Sequence, residues 1–180
     1  GEKMNKTDAF KKELSYILNS KYLENAKKLI EILPDYFFEV PASSTGKYHP
    51  KFSLGDGGLV RHTKVAVRIA YELLNDESIG NVFTNDEKDL MLVALILHDG
   101  CKSGLTKTQY TVVNHPLIVS KLIKDNKNLL TLTEGELEFL CSCIEKRKLK
   151  SFLLKFPYIF FIRFFFIFNI LIHSIYVWNF

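Results

Sequence analysis

Cysteine is scarce in this sequence, and the few cysteines are not spaced as a disulfide framework. Of the three, Cys141 and Cys143 are separated by one residue, and Cys101 lies far from both. This spacing excludes a disulfide-rich scaffold and a CxxC metal or redox pair. Residues 1–19 are charged and amphipathic, which is not typical of a secretory signal peptide. We therefore expect reduced thiols and a cytoplasmic protein.

Acidic residues and glycine are missing from the C-terminal part of the sequence. All 20 acidic residues lie before residue 146, and residues 146–180 contain no Asp, Glu or Gly. Phe, Ile and Leu dominate this part, behind a basic run at 146–150. The change of composition divides the chain into a body, residues 1–150, and a hydrophobic tail, residues 151–180.

Three interpretations of the tail compete. Residues 156–180 are long and apolar enough to form a membrane anchor, in which case the protein is membrane-attached. The second interpretation is a hydrophobic helix that packs on the body or against a second copy in a homo-oligomer. The third is an aberrant reading frame that replaced the original C-terminal half. The abundance of Phe, Ile, Lys and Asn favours the third slightly.

Length and charge indicate one ordinary domain. A chain of 180 residues is long enough to bury a core and short for two domains. The formal net charge of +4 is mild, so charge alone does not indicate a nucleic-acid partner.

Apolar residues recur at three- and four-residue spacings through most of the body, which predicts an all-α fold. Two amphipathic helices are expected before Pro34, and another from about Leu59 that carries His62 on its apolar face. A shorter helix is expected after Asn114, and no segment of the body alternates as a strand does. Capping-box pairs predict two further helix starts, at Thr84 with Glu87 and at Thr133 with Glu136.

The first predicted helix and the long segment that follows the second differ in character. The first helix is expected to bury Phe10, Leu14, Ile17 and Leu18. Residues 34–58 instead hold three of the five prolines and several glycines, which predicts a long loop. Long loops inside compact domains are often functional.

A histidine and an aspartate follow the most apolar stretch of the body. Leu90–Leu97 is entirely apolar and is expected to be buried all round. His98 and Asp99 come next, and Gly100 is expected to end the helix. An unpaired carboxylate at the edge of a buried helix is costly, so Asp99 needs a compensating group. A divalent metal serves this purpose, and His62 offers a further imidazole ligand. Taken singly, each histidine is more typical of a hydrogen-bonded core residue.

Three motifs together resemble the metal site of the HD-domain phosphohydrolases: GGLVRHT at 57–63, HDGCK at 98–102 and NHP at 114–116. The resemblance spans roughly residues 35–145 and implies an HD-domain helical bundle. The segment PASSTGKYHP at 41–50 is similar to the HD domains of certain 3′-to-5′ exoribonucleases and of phage and plasmid relatives.

The resemblance also implies a ligand set. His62, His98, Asp99 and His115 are the implied metal ligands, and the ion is Mn, Fe, Co, Ni, Mg or Zn, bound singly or as a pair. His115 corresponds to the extra histidine of subgroups that hold two metals, in which Asp99 bridges the ions. The alternative for His115 is a helix-start residue with no ligand role.

Further residues acquire implied roles in catalysis and substrate binding. Asp99 holds or accepts a proton of the attacking water, and Lys102 neutralises a substrate phosphate. A solvated surface lysine is the alternative for Lys102. Lys47, His49 and Arg61 are the implied substrate-binding residues, and ordinary polar residues of a turn are the alternative.

The implied activity is metal-dependent hydrolysis of a phosphate ester in a nucleotide, RNA or DNA. The family completes its metal site with a later aspartate, and this sequence has no aspartate after Asp125. We therefore expect a phosphohydrolase impaired by the loss of that ligand. The alternative is a non-catalytic module that binds nucleotides or attaches to a membrane.

Overall fold

The computed structural model describes residues 5–43 and 50–145. Within these residues the chain forms α-helices, short 3₁₀ helices and no β-strand, so the predicted all-α fold is confirmed there. The α-helices are α1 (Lys11–Leu14), α2 (Ser20–Glu31), α3 (Gly58–Asn75), α4 (Glu77–Gly80), α5 (Asn85–Leu97), α6 (His115–Asp125) and α7 (Glu134–Ile144). The 3₁₀ helices are Lys6–Phe10, Asp35–Phe38, Lys51–Ser53 and Lys127–Leu129.

Helix α5 forms the centre of the bundle. Every residue of Leu90–Leu97 is at most 4% exposed, and the helix contacts α2, α3 and α7. Each large apolar side chain buried in this way contributes about 1.5–3 kcal/mol relative to exposure. The predicted capping box begins the helix, since Thr84 Oγ1 accepts from Glu87 N–H at 3.2 Å and Glu87 Oε2 accepts from Thr84 N–H at 2.8 Å.

The second predicted capping box is also confirmed, at the start of α7. Thr133 Oγ1 accepts from the N–H of Glu136 at 3.3 Å, and the Glu136 carboxylate accepts from the N–H of Thr133 at 2.7 Å. The same Glu136 carboxylate accepts from Lys21 Nζ at 2.6 Å and from Tyr22 Oη at 2.8 Å. This residue therefore both caps α7 and fixes α7 against α2.

The first predicted helix is confirmed in position but not in its apolar face. Phe10, Leu14 and Ile17 are buried as expected, whereas Leu18 is 77% exposed. The helix has ended by then, and the N–H of Leu18 donates to the carboxylate of Asp89 at 3.1 Å. That turn rotates the Leu18 side chain to the surface, so its predicted burial is wrong.

Within its described residues, the predicted loop between α2 and α3 contains 3₁₀ turns and backbone contacts. Gly57 adopts a φ of +67°, which favours glycine, and its N–H donates to the carbonyl of Glu39 at 2.7 Å. A Cβ on Gly58 would lie 2.1 Å from the carbonyl oxygen of Ser53. The glycine pair thus allows the start of α3 to pack tightly on the loop, which sets the position of His62.

Gly100 has a different role from the predicted one. Helix α5 already ends at Leu97, and the glycines with positive φ in the described ranges do not include Gly100. A Cβ there would meet Leu33 Cδ2 at 2.5 Å and the carbonyl oxygen of Leu97 at 2.9 Å. Gly100 is therefore required for close packing of the turn that carries His98 and Asp99 against Leu33, which follows α2.

The predictions for the hydrophobic tail, including its boundary at residue 150, lie outside the described residues. None of the helices within residues 5–43 and 50–145 is long and apolar enough to cross a membrane.

Candidate metal centre

Three of the four predicted metal ligands form a buried cluster where α3 meets the end of α5. His62 lies in the second turn of α3, and His98 and Asp99 directly follow α5. Their exposed fractions are 2%, 5% and 7%. One ligand atom from each of the three side chains lies within 4.8 Å of the others, so the group could hold a metal ion. The packing of α3 on α5 creates this cluster from two distant segments.

A backbone contact orients the imidazole of His98. Its Nδ1 lies 2.6 Å from the carbonyl oxygen of Leu95, one turn earlier. Because a carbonyl oxygen only accepts, Nδ1 carries a proton and donates. The other nitrogen, Nε2, then presents its side of the ring to Asp99, whose Oδ2 lies 3.5 Å away. Metal-binding histidines are commonly held by such a contact from the remote nitrogen.

His115 reaches the same carboxylate from the start of α6. Its Nδ1 lies 2.7 Å from the carbonyl oxygen of Val112, so this nitrogen also donates to the backbone. Its Nε2 lies 3.0 Å from Asp99 Oδ1. His115 is therefore a helix-start residue that also contacts the cluster.

The orientation of the two imidazoles suits a cation. With Nδ1 protonated, a neutral imidazole presents a lone pair at Nε2, and the ionised Asp99 presents further lone pairs. His98 and His115 both turn Nε2 toward that carboxylate. Lone pairs at these separations repel unless a metal ion lies among them or each Nε2 carries an additional proton, which makes the imidazole a cation that pairs with Asp99. Nitrogen and carboxylate donors together suit Mn, Fe, Co, Ni or Zn better than Mg, which prefers oxygen ligands.

Lys102 lies on the other side of Asp99. Its Nζ is 3.2 Å from Asp99 Oδ2, and its side chain is only 11% exposed. Burial alone would raise the pKa of Asp99, but Lys102, His98 and His115 together hold that pKa well below its usual range. Asp99 is thus an anion at neutral pH, and Lys102 is a buried cation and not the solvated surface lysine of the alternative interpretation.

Tyr36 is a residue of this region that the sequence did not reveal. Its hydroxyl donates to the carbonyl of Gly104 at 2.6 Å and accepts from the N–H of Ser103 at 3.0 Å. Burial raises the pKa of Tyr36 to about 12, so the hydroxyl keeps its proton. The contact fixes the chain directly after Lys102. A buried tyrosine needs a hydrogen-bond partner, but the sequence does not say where that partner lies.

The loop between Lys102 and His115 is closed by its own backbone. The N–H of Val112 donates to the carbonyl of Lys102 at 2.8 Å, and the N–H of His115 donates to the carbonyl of Val112 at 3.0 Å. Gly104 allows the turn with a φ of +86°. This closure brings His115 back to the aspartate, although the two residues are distant in sequence.

Of the three predicted substrate-binding residues, Arg61 lies within the described residues, and its side chain contacts the loop before α3. Arg61 donates from Nε to the carbonyl of Phe52 at 2.6 Å and from its two terminal nitrogens to the carbonyls of Leu54 and Asp56 at 2.7 and 2.8 Å. Its guanidinium therefore organises the loop before α3, and its role in substrate binding stays a prediction. Lys47 and His49 lie outside the described residues.

Comparisons with known proteins give no relative. No protein-family model matches the chain, and no match was found among curated proteins or among solved structures. The chemistry of the site must therefore be argued from its own residues.

Proposed function

We propose that this chain is a metal-dependent phosphohydrolase of the HD-domain type that acts on a phosphate ester of a nucleotide or a nucleic acid. The observation that carries the proposal is the buried cluster of His62, His98 and Asp99, whose ligand atoms lie within 4.8 Å of one another. Three protein ligands are the usual number at catalytic metal sites, where a position is left open for water or substrate. The order of GGLVRHT, HDGCK and NHP along the chain supports the HD-domain assignment.

The metal would be held by His62, His98 and Asp99, with His115 available to a second ion. A bound divalent metal supplies Lewis acidity, which activates water at neutral pH and polarises phosphoryl oxygens. Hydrolysis then forms one P–O bond from water and breaks the P–O bond to the leaving alcohol, which takes up a proton.

The surrounding side chains prepare this reaction. His98 and His115 are held by backbone carbonyls, so their rings need no reorganisation when the ion and the substrate bind. The ammonium group of Lys102 neutralises the carboxylate of Asp99. An incoming phosphate would compete with Asp99 for this ammonium group. Asp99 orients the attacking water.

A non-catalytic module that binds a nucleotide is the second candidate. Both carboxylate oxygens of Asp99 already contact protein side chains, Lys102 at one oxygen and His115 at the other. Because these contacts compete with a metal ion for the carboxylate, slow turnover is expected even if the chain is an enzyme.

The two candidates are distinguished by assaying the purified chain with Mn²⁺ or Co²⁺ against bis(4-nitrophenyl) phosphate and a panel of nucleotides. Metal-dependent release of product that Asp99→Ala abolishes and Asp125→Ala preserves supports the enzyme. Asp125 is a suitable control because it pairs with Lys121 on the exposed face of α6. Stoichiometric nucleotide binding without turnover would instead favour the module.

A further inference from the structure

A cavity of about 220 Å³ lies beside the metal cluster, between the loop before α3 and the loop after α5. It shares Lys102 with the cluster, since Lys102 both lines the cavity and contacts Asp99. Its lining residues are Val40, Pro41, Ala42, Lys102, Ser103, Lys107, Thr108, Gln109 and Thr111.

The lining carries charge of one sign. Lys102 and Lys107 are its charged members, and no acidic residue is among the described residues that line it. Ser103, Gln109 and Thr111 add hydroxyl and amide groups, all of which can donate hydrogen bonds to oxygen. Lys102 is already paired with Asp99, so Lys107 is the lysine that offers its charge to an anion, and the neutral donors around it favour a phosphate-like group.

The walls of the cavity are held in place without a ligand. The hydroxyl of Tyr36 is hydrogen-bonded to Ser103 and Gly104. The N–H of Thr108 donates to the carbonyl of Ser103 at 2.9 Å, and the hydroxyl of Thr108 lies 2.8 Å from the carbonyl oxygen of Tyr110 and 3.0 Å from that of Ser103. A preformed wall reduces the entropy that binding must offset.

We propose that this cavity binds a second phosphate group of the substrate, one that is not hydrolysed. The inference rests on the proposed function and specifies its substrate class: a phosphate ester that carries a further phosphate on the same sugar or on the next one. The cavity is smaller than the roughly 300–1,000 Å³ typical of sites for whole drug-sized ligands, so it suits one fragment of a larger substrate. Val40, Pro41 and Ala42 give it an apolar wall on which a sugar ring packs.

The position of the cavity next to the metal cluster supports its assignment to a second phosphate. Because Lys102 both contacts Asp99 and lines the cavity, a phosphate at the metal cluster and a phosphate in the cavity would be neighbours across one side chain. Adjacent phosphates of a nucleoside bisphosphate or of an oligonucleotide end have this relation, whereas a simple monoester leaves the cavity without its anion.

The first test measures anion binding without turnover. Inorganic pyrophosphate is titrated calorimetrically into the chelator-treated full chain and into the variants Lys107→Gln and Lys121→Gln. Lys121 is the matched control because its side chain is 72% exposed on α6, where it pairs with Asp125. We expect Lys107→Gln to weaken pyrophosphate binding by about tenfold, as for loss of one charge-assisted hydrogen bond, and Lys121→Gln to leave it unchanged. Equal weakening in both variants, or no binding to the unmodified chain, would overturn the proposal.

The second test uses hydrolysis with Mn²⁺ present. In the unmodified chain, kcat/KM for adenosine 3′,5′-bisphosphate should exceed that for 4-nitrophenyl phosphate, and Lys107→Gln should lower this ratio by about tenfold. A ratio that Lys107→Gln does not change would overturn the second-phosphate assignment while leaving the phosphohydrolase intact. Conversely, pyrophosphate binding that depends on Lys107 in a chain that hydrolyses no ester would support the anion site and overturn the proposed function.

Discussion

Helix α5 has a buried carboxylate near each end, and the two are stabilised in opposite ways. Asp89, near the start of the helix, accepts from the backbone N–H groups of Leu18 and Asn19, at 3.1 and 2.8 Å. Asp99, just beyond its end, contacts Lys102, His98 and His115 instead. Burial raises the pKa of Asp89, whereas the cationic and imidazole groups hold the pKa of Asp99 well below its usual range.

The two carboxylates therefore have different roles: Asp89 stabilises the fold, whereas Asp99 is available for binding. Backbone amides are fixed donors that fold the chain around Asp89 and cannot be exchanged for another ligand. The partners of Asp99 are side chains whose nitrogen atoms can instead bind a metal ion or a phosphate. The Asp99 carboxylate can therefore exchange these partners for a metal ion. The start of α5 therefore holds the bundle together, and its end is suited to binding.

Substitution of Asp99 should have the largest effect on metal affinity at the end of α5. Asp99→Ala removes the proposed carboxylate ligand, and the affinity for Mn²⁺ or Zn²⁺ should fall by more than about 100-fold, because even outer partners of metal ligands are worth about 10–100-fold. Isothermal titration calorimetry measures the loss. Asp89→Ala, assayed under conditions where it is folded, should keep the affinity of the unmodified chain. Comparable losses in the two variants would remove the distinction between the two ends.

Substitution of Asp89 should have its main effect on stability. Asp89→Ala leaves the N–H groups of Leu18 and Asn19 without their acceptor, and the free energy of unfolding should fall by about 1–3 kcal/mol. Urea denaturation measures the change. The control Asp125→Ala removes an exposed carboxylate and should stay within about 0.5 kcal/mol. A loss for Asp89→Ala no larger than that of the control would show that the amide contacts do not hold the turn.

Tyr36 should affect the binding end through the loop it fixes. Tyr36→Phe removes the hydroxyl bonded to Ser103 and Gly104, which should cost about 1 kcal/mol per hydrogen bond in stability. Metal affinity should also fall, by about tenfold, because Lys102 and His115 lose their support. Tyr110→Phe is the control, since Tyr110 is 63% exposed. A stability loss with unchanged metal affinity would limit Tyr36 to folding.

The pH dependence of stability should distinguish the two carboxylates by sign. Asp99, with a lowered pKa when folded, stabilises the protein above about pH 3.9, its unfolded value, and this contribution is lost as the pH falls further. Asp89, with a raised pKa, acts in the opposite direction, since its ionisation destabilises the fold as the pH rises above about 3.9. Unfolding is measured from about pH 2 to 7 with chelator present. Asp99→Asn should flatten the loss of stability below about pH 3.9, and Asp89→Asn should flatten the loss of stability as the pH rises above about 3.9. The same slope change in both variants would show that the two carboxylates do not differ in sign.

The features predicted correctly from the sequence are those determined by residues close together in the chain. The capping boxes at Thr84 and Thr133 need only a partner three residues away, and the apolar run of α5 predicts its own burial. The predicted burial of Leu18 was wrong because its backbone N–H binds Asp89, 71 residues away. Tyr36 gave no signal for the same reason, since its partners Ser103 and Gly104 lie on a distant loop.

The candidate site divides in the same manner. His98 and Asp99 are adjacent, and the position of His62 on the buried face of its helix followed from periodicity. The approach of His115 to Asp99 required the path of the intervening loop, and the cavity beside Lys102 required two loops to meet. Local patterns therefore predicted the residues that cluster, whereas the shape of the site needed the fold.

If His62, His98 and Asp99 form a metal centre, the chain binds Co²⁺, and an equilibrium titration followed by visible absorption measures this binding. We expect saturable binding at neutral pH, at about one ion per chain or more, with an absorption band that both His62→Ala and Asp99→Ala remove and Asp125→Ala retains. No binding by the unmodified chain, or a band that persists in His62→Ala and Asp99→Ala, would contradict this metal centre.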